Sequence, residues 1–250
     1  MSGHSKWHNI RLRKGKQDAV RSKLFTKIAR EIIVAAREGG GNADSNLRLK
    51  LAVQKARENS MPADNIKRAI QRGTGEVEGA SYDEIGYEGY GPAGVAILVA
   101  CLTDNRNRTV AELRNIFSKC GGNLGESGCV AWMFEQTGLI QIPGDTTDED
   151  TVMMATMDAG ADDIRVEEDT IEVLCQPVDL PKVRDAVAAA GIAFTSAEVT
   201  MLPKSTVRIE DGKEASQILR LLDALDDNDD VQQVYANFDI PDELMQEAAA

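Results

Sequence analysis

The chain has 250 residues, 42% of them hydrophobic, which suits one large core or a few small ones and excludes general disorder. No apolar stretch approaches the roughly 18 residues that span a bilayer, and the first thirty residues are polar and basic without the apolar core of a secretory signal, so no membrane partner and a cytoplasmic location are expected. The net charge of −13 hides an asymmetry: Met1–Arg72 holds 17 Lys and Arg against 6 Asp and Glu, a net of +11, and the remainder holds 11 against 35, a net of −24. Such a split describes a basic module carried by an acidic body.

The basic third reads as helices. From Lys23 to Glu38, Phe25, Ile28, Ile32, Ala35 and Ala36 recur at helical spacing, with Lys23, Lys27, Arg30 and Arg37 on the opposite face and Gly39-Gly40-Gly41 as the stop. A second helix is expected over Asn46–Glu58. A third is opened by Pro62, carries Ile66, Ala69 and Ile70, and is closed by Gly73. Gly73 to Tyr82 lacks periodicity and reads as a linker.

The eight apolar residues Val95–Leu102 predict a buried strand. A helix follows, with Thr109 and Glu112 spaced as a capping box and Val110, Leu113, Phe117 and Cys120 as its stripe. Cys129–Phe134 is a further strand candidate. Leu139 to Leu202 then carries a complete β-α-β-β-α-β order, a ferredoxin-like pattern. After Pro203 come a short strand at Thr206–Ile209, a helix with Ile218, Leu219, Leu222 and Leu225, and a strand carrying Val234, Ala236 and Phe238.

Neither the β-α-β segment before Leu139 nor this tail is complete alone, so the two are expected to combine around an insertion. The expected fold class is α+β: an all-helical N-terminal domain followed by two ferredoxin-like α/β domains, the third inserted in the second. The boundaries are 1–78 for the basic helical domain, 79–137 with 203–250 for the discontinuous domain, and 138–202 for the inserted one.

Catalytic patterns fail on context. Gly89-Tyr90-Gly91-Pro92-Ala93-Gly94 fits the dinucleotide fingerprint, but it precedes a strand instead of following one. Asp226-Asp227-Asn228-Asp229-Asp230 resembles the start of a calcium loop, yet Val231 and Asn237 stand where Gly and Glu are needed, so a solvated acidic turn is expected. Cys101, Cys120, Cys129 and Cys175 form no C-x-x-C pair, and the only histidines, His4 and His8, lie far from them, so reduced, packed thiols and no metal site are expected. No enzyme activity and no cofactor are expected.

The strongest signal is the arm Ser5–Lys16, in which Lys6, Arg11, Arg13, Lys14 and Lys16 surround Trp7. Lys and Arg bind phosphates and release counterions. Trp7 suits stacking on a base or packing under the helices. Candidate nucleic-acid contacts are therefore Lys6, Trp7, Arg11, Arg13, Lys14, Lys16, Arg21, Lys23, Lys27 and Arg30. Arg106 and Arg108 join them at a helix start, where an anion is favoured, with pairing to acidic neighbours as the competing role. Charge alone does not separate DNA from RNA.

At these residues the chain resembles the YebC/PmpR family. The resemblance is carried by Gly3-His4-Ser5-Lys6-Trp7, Lys23-Leu24-Phe25-Thr26-Lys27, Gly39-Gly40-Gly41, Tyr87-Glu88-Gly89-Tyr90-Gly91-Pro92, Thr103–Thr109, Lys119–Gly125 and Asp230–Tyr235, and it covers essentially the whole length. It implies three domains, the third inserted in the second, and no established catalysis. Bacterial members are described as probable transcriptional regulators that bind DNA. Mitochondrial relatives activate translation of cytochrome oxidase subunit I, and some bacterial relatives are linked to ribosomes. The expected function is a non-enzymatic DNA-binding transcriptional regulator, with an RNA- or ribosome-bound translation factor as the alternative. A protein partner for the acidic domains stays open.

Overall fold

The computed structural model describes residues 17–167, 170–241 and 243–245. It is a mixed α+β chain, with a helical region followed by antiparallel sheets that carry helices.

The helical region holds α1 (Gln17–Gly39), α2 (Leu47–Glu58) and α3 (Ala63–Gly73). Ile28, Ile32, Ile33 and Ala36 of α1 pack with Leu49, Ala52 and Val53 of α2 and Ile66 and Ala69 of α3 into one core. The glycine stop works as the sequence requires: Gly40 takes φ +83° and its N–H donates to Ala36 O. Asn46 then serves two helices at once. Its Nδ2 donates to the Ala35 and Gly40 carbonyls at 2.7 and 2.9 Å, and its Oδ1 accepts from Leu49 N at 3.0 Å, satisfying free groups at the end of α1 and the start of α2. At Gly73 a Cβ would come within 2.5 Å of the Ile33 carbonyl, so glycine lets α3 lie directly on α1.

Next, β1 (Asp83–Tyr90) and β2 (Ala96–Thr103) form an antiparallel hairpin through a 3-10 turn at Pro92–Gly94. The helices α4 (Arg106–Lys119) and α7 (Gly212–Asp226) accompany a sheet ordered β3-β1-β2-β9, with β3 at Asn123–Leu124 and β9 at Val231–Ala236. Ile97, Val99, Leu113, Phe117, Ile218, Leu222 and Val234 are buried here.

The segment between these halves contains β4 (Phe134–Pro143), α5 (Glu149–Thr156), β5 (Ala161–Glu167), β6 (Thr170–Cys175), α6 (Leu180–Ala189) and β7 (Ser196–Pro203). Its sheet, ordered β5-β6-β4-β7 and antiparallel throughout, has the ferredoxin-like arrangement. Ile140, Ile142, Val152, Val173, Val183 and Val187 form its core. A parallel pair, β8 (Val207–Arg208) with β10 (Phe238–Asp239), completes the secondary structure. The chain divides into two compact units, one built on Trp132–Arg208 with Asn237–Asp239 and the other on the rest of the described chain.

Three local expectations are corrected. Asp83–Tyr90 is a full strand, so the host begins β-β-α where β-α-β was expected. The expected strand at Cys129–Phe134 is absent up to Met133, and only Phe134 is in a strand, as the first residue of β4. The N–H groups of Gly128, Val130 and Ala131 all donate to the buried Glu88 carboxylate at 2.6 to 2.7 Å, and a backbone whose donors are taken this way has none left for a ladder. The expected capping box is absent as well. The helix starts at Arg106, its cap is Asn105, whose Oδ1 accepts from Arg108 N, and Glu112 accepts from Asn228 instead.

Candidate nucleic-acid interface

Of the expected contacts, Lys6, Trp7, Arg11, Arg13, Lys14 and Lys16 lie outside the described residues. The others fall on α1 and at the start of α4. Arg21 is exposed, with its guanidinium 5.5 Å from the Phe25 ring centroid. Lys23 pairs with Asp227 at 3.2 Å, Lys27 with Asp226 at 2.8 Å and Arg30 with Asp230 at 2.8 Å. Arg106 pairs with Asp83 at 3.0 Å, and Arg108 pairs with Asp104 and Asp230 at 2.8 and 2.7 Å. The periodicity that placed Lys23, Lys27 and Arg30 away from the apolar face is correct. That face, however, meets the body's own carboxylates.

The turn at 226–230 is therefore not the solvated loop that its composition suggested. Asp230 is buried, at 2% exposure, and its two oxygens organise the junction. Oδ1 accepts from Arg30, and Oδ2 accepts from Arg108, Thr103 and Thr109. Burial alone would raise its pKa. The donors Arg108, Thr109 and Arg30 outweigh burial and hold the carboxyl below the ordinary Asp value. Arg30 also donates to the carbonyls of Leu102 and Asp229, and its guanidinium lies 5.0 Å from the Tyr82 ring centroid. Lys23, Arg30, Arg108, Asp104, Glu112 and residues 227–230 line an open cleft of about 620 Å³ beside this hub.

The cations with free ends are elsewhere. Lys50 and Arg57 of α2 and Lys67 and Arg68 of α3 are exposed and make no ion pair among the described residues. Lys50 and Arg57 are seven residues apart, two helical turns, and so share a face. These four are the polar complement of the apolar stripe, a weaker sequence signal than the denser cation run of the arm.

The remaining chemistry is sparse. Burial pushes the Cys101 thiol up to about 12 and the Cys175 thiol to about 11, which leaves both protonated and inert at neutral pH. Among the described residues no group of three or more His, Cys, Asp or Glu side chains is placed to hold a metal ion.

Two family models match the chain: the TACO1/YebC N-terminal domain over residues 5–76 and the TACO1/YebC second and third domain over residues 82–238. The chain belongs to the TACO1/YebC family. A probable transcriptional regulatory protein of Desulforapulum autotrophicum is 57% identical over 98% of this chain and 98% of its own. One from Persephonella marina is 53% identical over the full length of both. The crystal structure of a conserved hypothetical protein from Aquifex aeolicus is 45% identical, with a TM-score of 0.83 over 92% of this chain and 94% of that one. The first family model ends and the second begins where the TACO1/YebC helical region gives way to β1.

Proposed function

We propose that this TACO1/YebC chain is a non-enzymatic regulator of transcription that grips a nucleic-acid backbone through its basic helical domain. The observation that carries this reading is the division of charge at the level of single residues. The helical region keeps Lys50, Arg57, Lys67 and Arg68 exposed and unpaired, in a segment whose net charge is +11 inside a chain of −13. Backbone phosphates are the natural partner of such a surface, because each phosphate neutralised releases condensed counterions. The arm carrying Lys6, Trp7, Arg11, Arg13, Lys14 and Lys16 extends the same charge, and Arg21 stands exposed at the start of α1. The relatives' names supply the word transcriptional. Arg30 and Arg108, by contrast, meet at Asp230, Arg30 from the helical region and Arg108 from α4, and are proposed as structural.

The reading includes a cytoplasmic location. Among the described residues no helix is long and apolar enough to cross a membrane. Crosslinking in cells followed by sequencing of both DNA and RNA tests the assignment. Enrichment of promoter fragments is expected. Enrichment of ribosomal RNA without promoter DNA would overturn the transcriptional role and leave a translation factor in its place.

A further inference from the structure

The acidic turn meets α1 in a graded way. Lys23, Lys27 and Arg30 sit at spacings of four and three residues, on one face of the helix, with about 6 Å of rise between the two lysines. Each lysine is held by two oxygens of a single residue. Lys23 Nζ donates to the Asp227 carbonyl and Oδ1 at 3.3 and 3.2 Å, and Lys27 Nζ donates to the Asp226 carbonyl and Oδ1, both at 2.8 Å. Exposure falls steadily along the row. The side chains of Lys23 and Asp227 are 47% and 61% exposed, those of Lys27 and Asp226 are 15% and 18%, and those of Arg30 and Asp230 are 13% and 3%.

We infer that Lys23 and Lys27 form a second phosphate-binding surface, which the turn at 226–230 occupies in competition with a nucleic-acid backbone. The inference rests on the nucleic-acid reading of the helical domain. A phosphodiester group offers an ammonium anionic oxygens to bind, and here each lysine is met from within the chain by one carboxylate oxygen and one backbone carbonyl. The outer pair is solvated and readily exchanged, the middle pair follows it, and the Arg30–Asp230 contact stays as a pivot because neither group can return to water without dismantling the hub of Thr103, Thr109 and Arg108. Arg108 remains on the body side through its second partner, Asp104. Backbone binding would therefore peel the turn from its exposed end toward Asp230, and the chain's own carboxylates set how much polyanion is needed to do so.

The test compares the full chain with D226N/D227N in titrations of a defined DNA duplex, and of an RNA of equal length, at rising potassium chloride. Both substitutions are near-isosteric, and Asp230 is untouched, so circular dichroism should match the parent and melting should remain cooperative, lowered by only a few degrees. The expected result is roughly tenfold tighter binding at low salt and, on duplex, a slope of log affinity against log salt steeper by about 0.9 for each additional phosphate neutralised. Adding K23A/K27A to this variant should erase the gain. A second variant, E135Q/D145N, removes two exposed carboxylates, one on β4 and one just after it, and should bind like the parent. An unchanged D226N/D227N, or an equal gain in E135Q/D145N, would overturn the inference while leaving the proposed function standing. If neither the parent nor D226N/D227N binds either polyanion at low salt, the proposed function fails, and the inference with it.

Discussion

Asp230 is the residue on which most of the polar architecture converges. It joins Arg30 of α1, Arg108 of α4 and the hydroxyls of Thr103 and Thr109. Removing one partner of a buried pair strands the other, so Asp230→Ala should lose about 3–5 kcal/mol in urea unfolding. Asp227→Asn, at an exposed pair, should lose less than about 1 kcal/mol. Equal losses would deny Asp230 its special place. The same carboxyl fixes a direction of pH dependence. Its folded pKa is lowered, so its stabilisation is complete above the unfolded value of 3.8 and disappears as pH falls through the lower folded value. Glu88, lowered against its own burial by the N–H groups of Gly128, Val130 and Ala131, acts with the same sign. The urea midpoint should therefore fall on the acid side of the carboxylate range, and Asp230→Asn should flatten part of that fall. None of this was visible in the sequence, where five consecutive Asp and Asn residues look like a hydrated turn. Burial of one among them depends on which helix arrives opposite it.

At the scale of elements, helices and long apolar strands were legible because their signals are local. The Gly40 stop, the Asn46 cap and the Pro62 start each act through bonds to near neighbours. The β-α-β-β-α-β order followed from apolar alternation in strands and from helical spacing with Gly and Pro boundaries in the two helices. Strand β1 escaped, since Asp-Glu-Ile-Gly-Tyr-Glu-Gly-Tyr carries little intrinsic strand preference and is held by pairing with β2 along its whole length. Its two glycines test that account. A Cβ at Gly89 would meet the Asn123 carbonyl at 2.6 Å and the Phe117 ring at 2.8 Å, while Gly86 has nothing within 4 Å. Gly89→Ala should therefore cost about 1–3 kcal/mol and loosen β3. Gly86→Ala should be neutral or stabilising by up to about 1 kcal/mol. Thermal melts of the two variants decide, and a cost at Gly86 equal to that at Gly89 would refute the close-approach explanation.

For the whole molecule we propose the division 1–78, 79–137 with 203–250, and 138–202. Strand β4 starts at Phe134 and pairs with Pro203 at the end of β7, so an excised inserted domain must keep both strands entire. A fragment of residues 132–208 should fold by itself with a cooperative melt, since Ile140, Ile142, Val173, Val183 and Val187 already form a closed core within it. A featureless melt would argue against an independent inserted domain. On the proposed function the acidic body and the basic helical region have separate tasks, one to carry and restrain, the other to grip phosphate. Salt-dependent binding separates a phosphate-gripping helical region from one that is merely basic. Duplex DNA should be titrated with the full chain and with K50A/R57A/K67A/R68A across a range of potassium chloride. The variant should keep its fold, bind more weakly, and show a slope of log affinity against log salt shallower by about 0.9 for every phosphate that it no longer neutralises. An unchanged slope and affinity in a properly folded variant would contradict the gripping role.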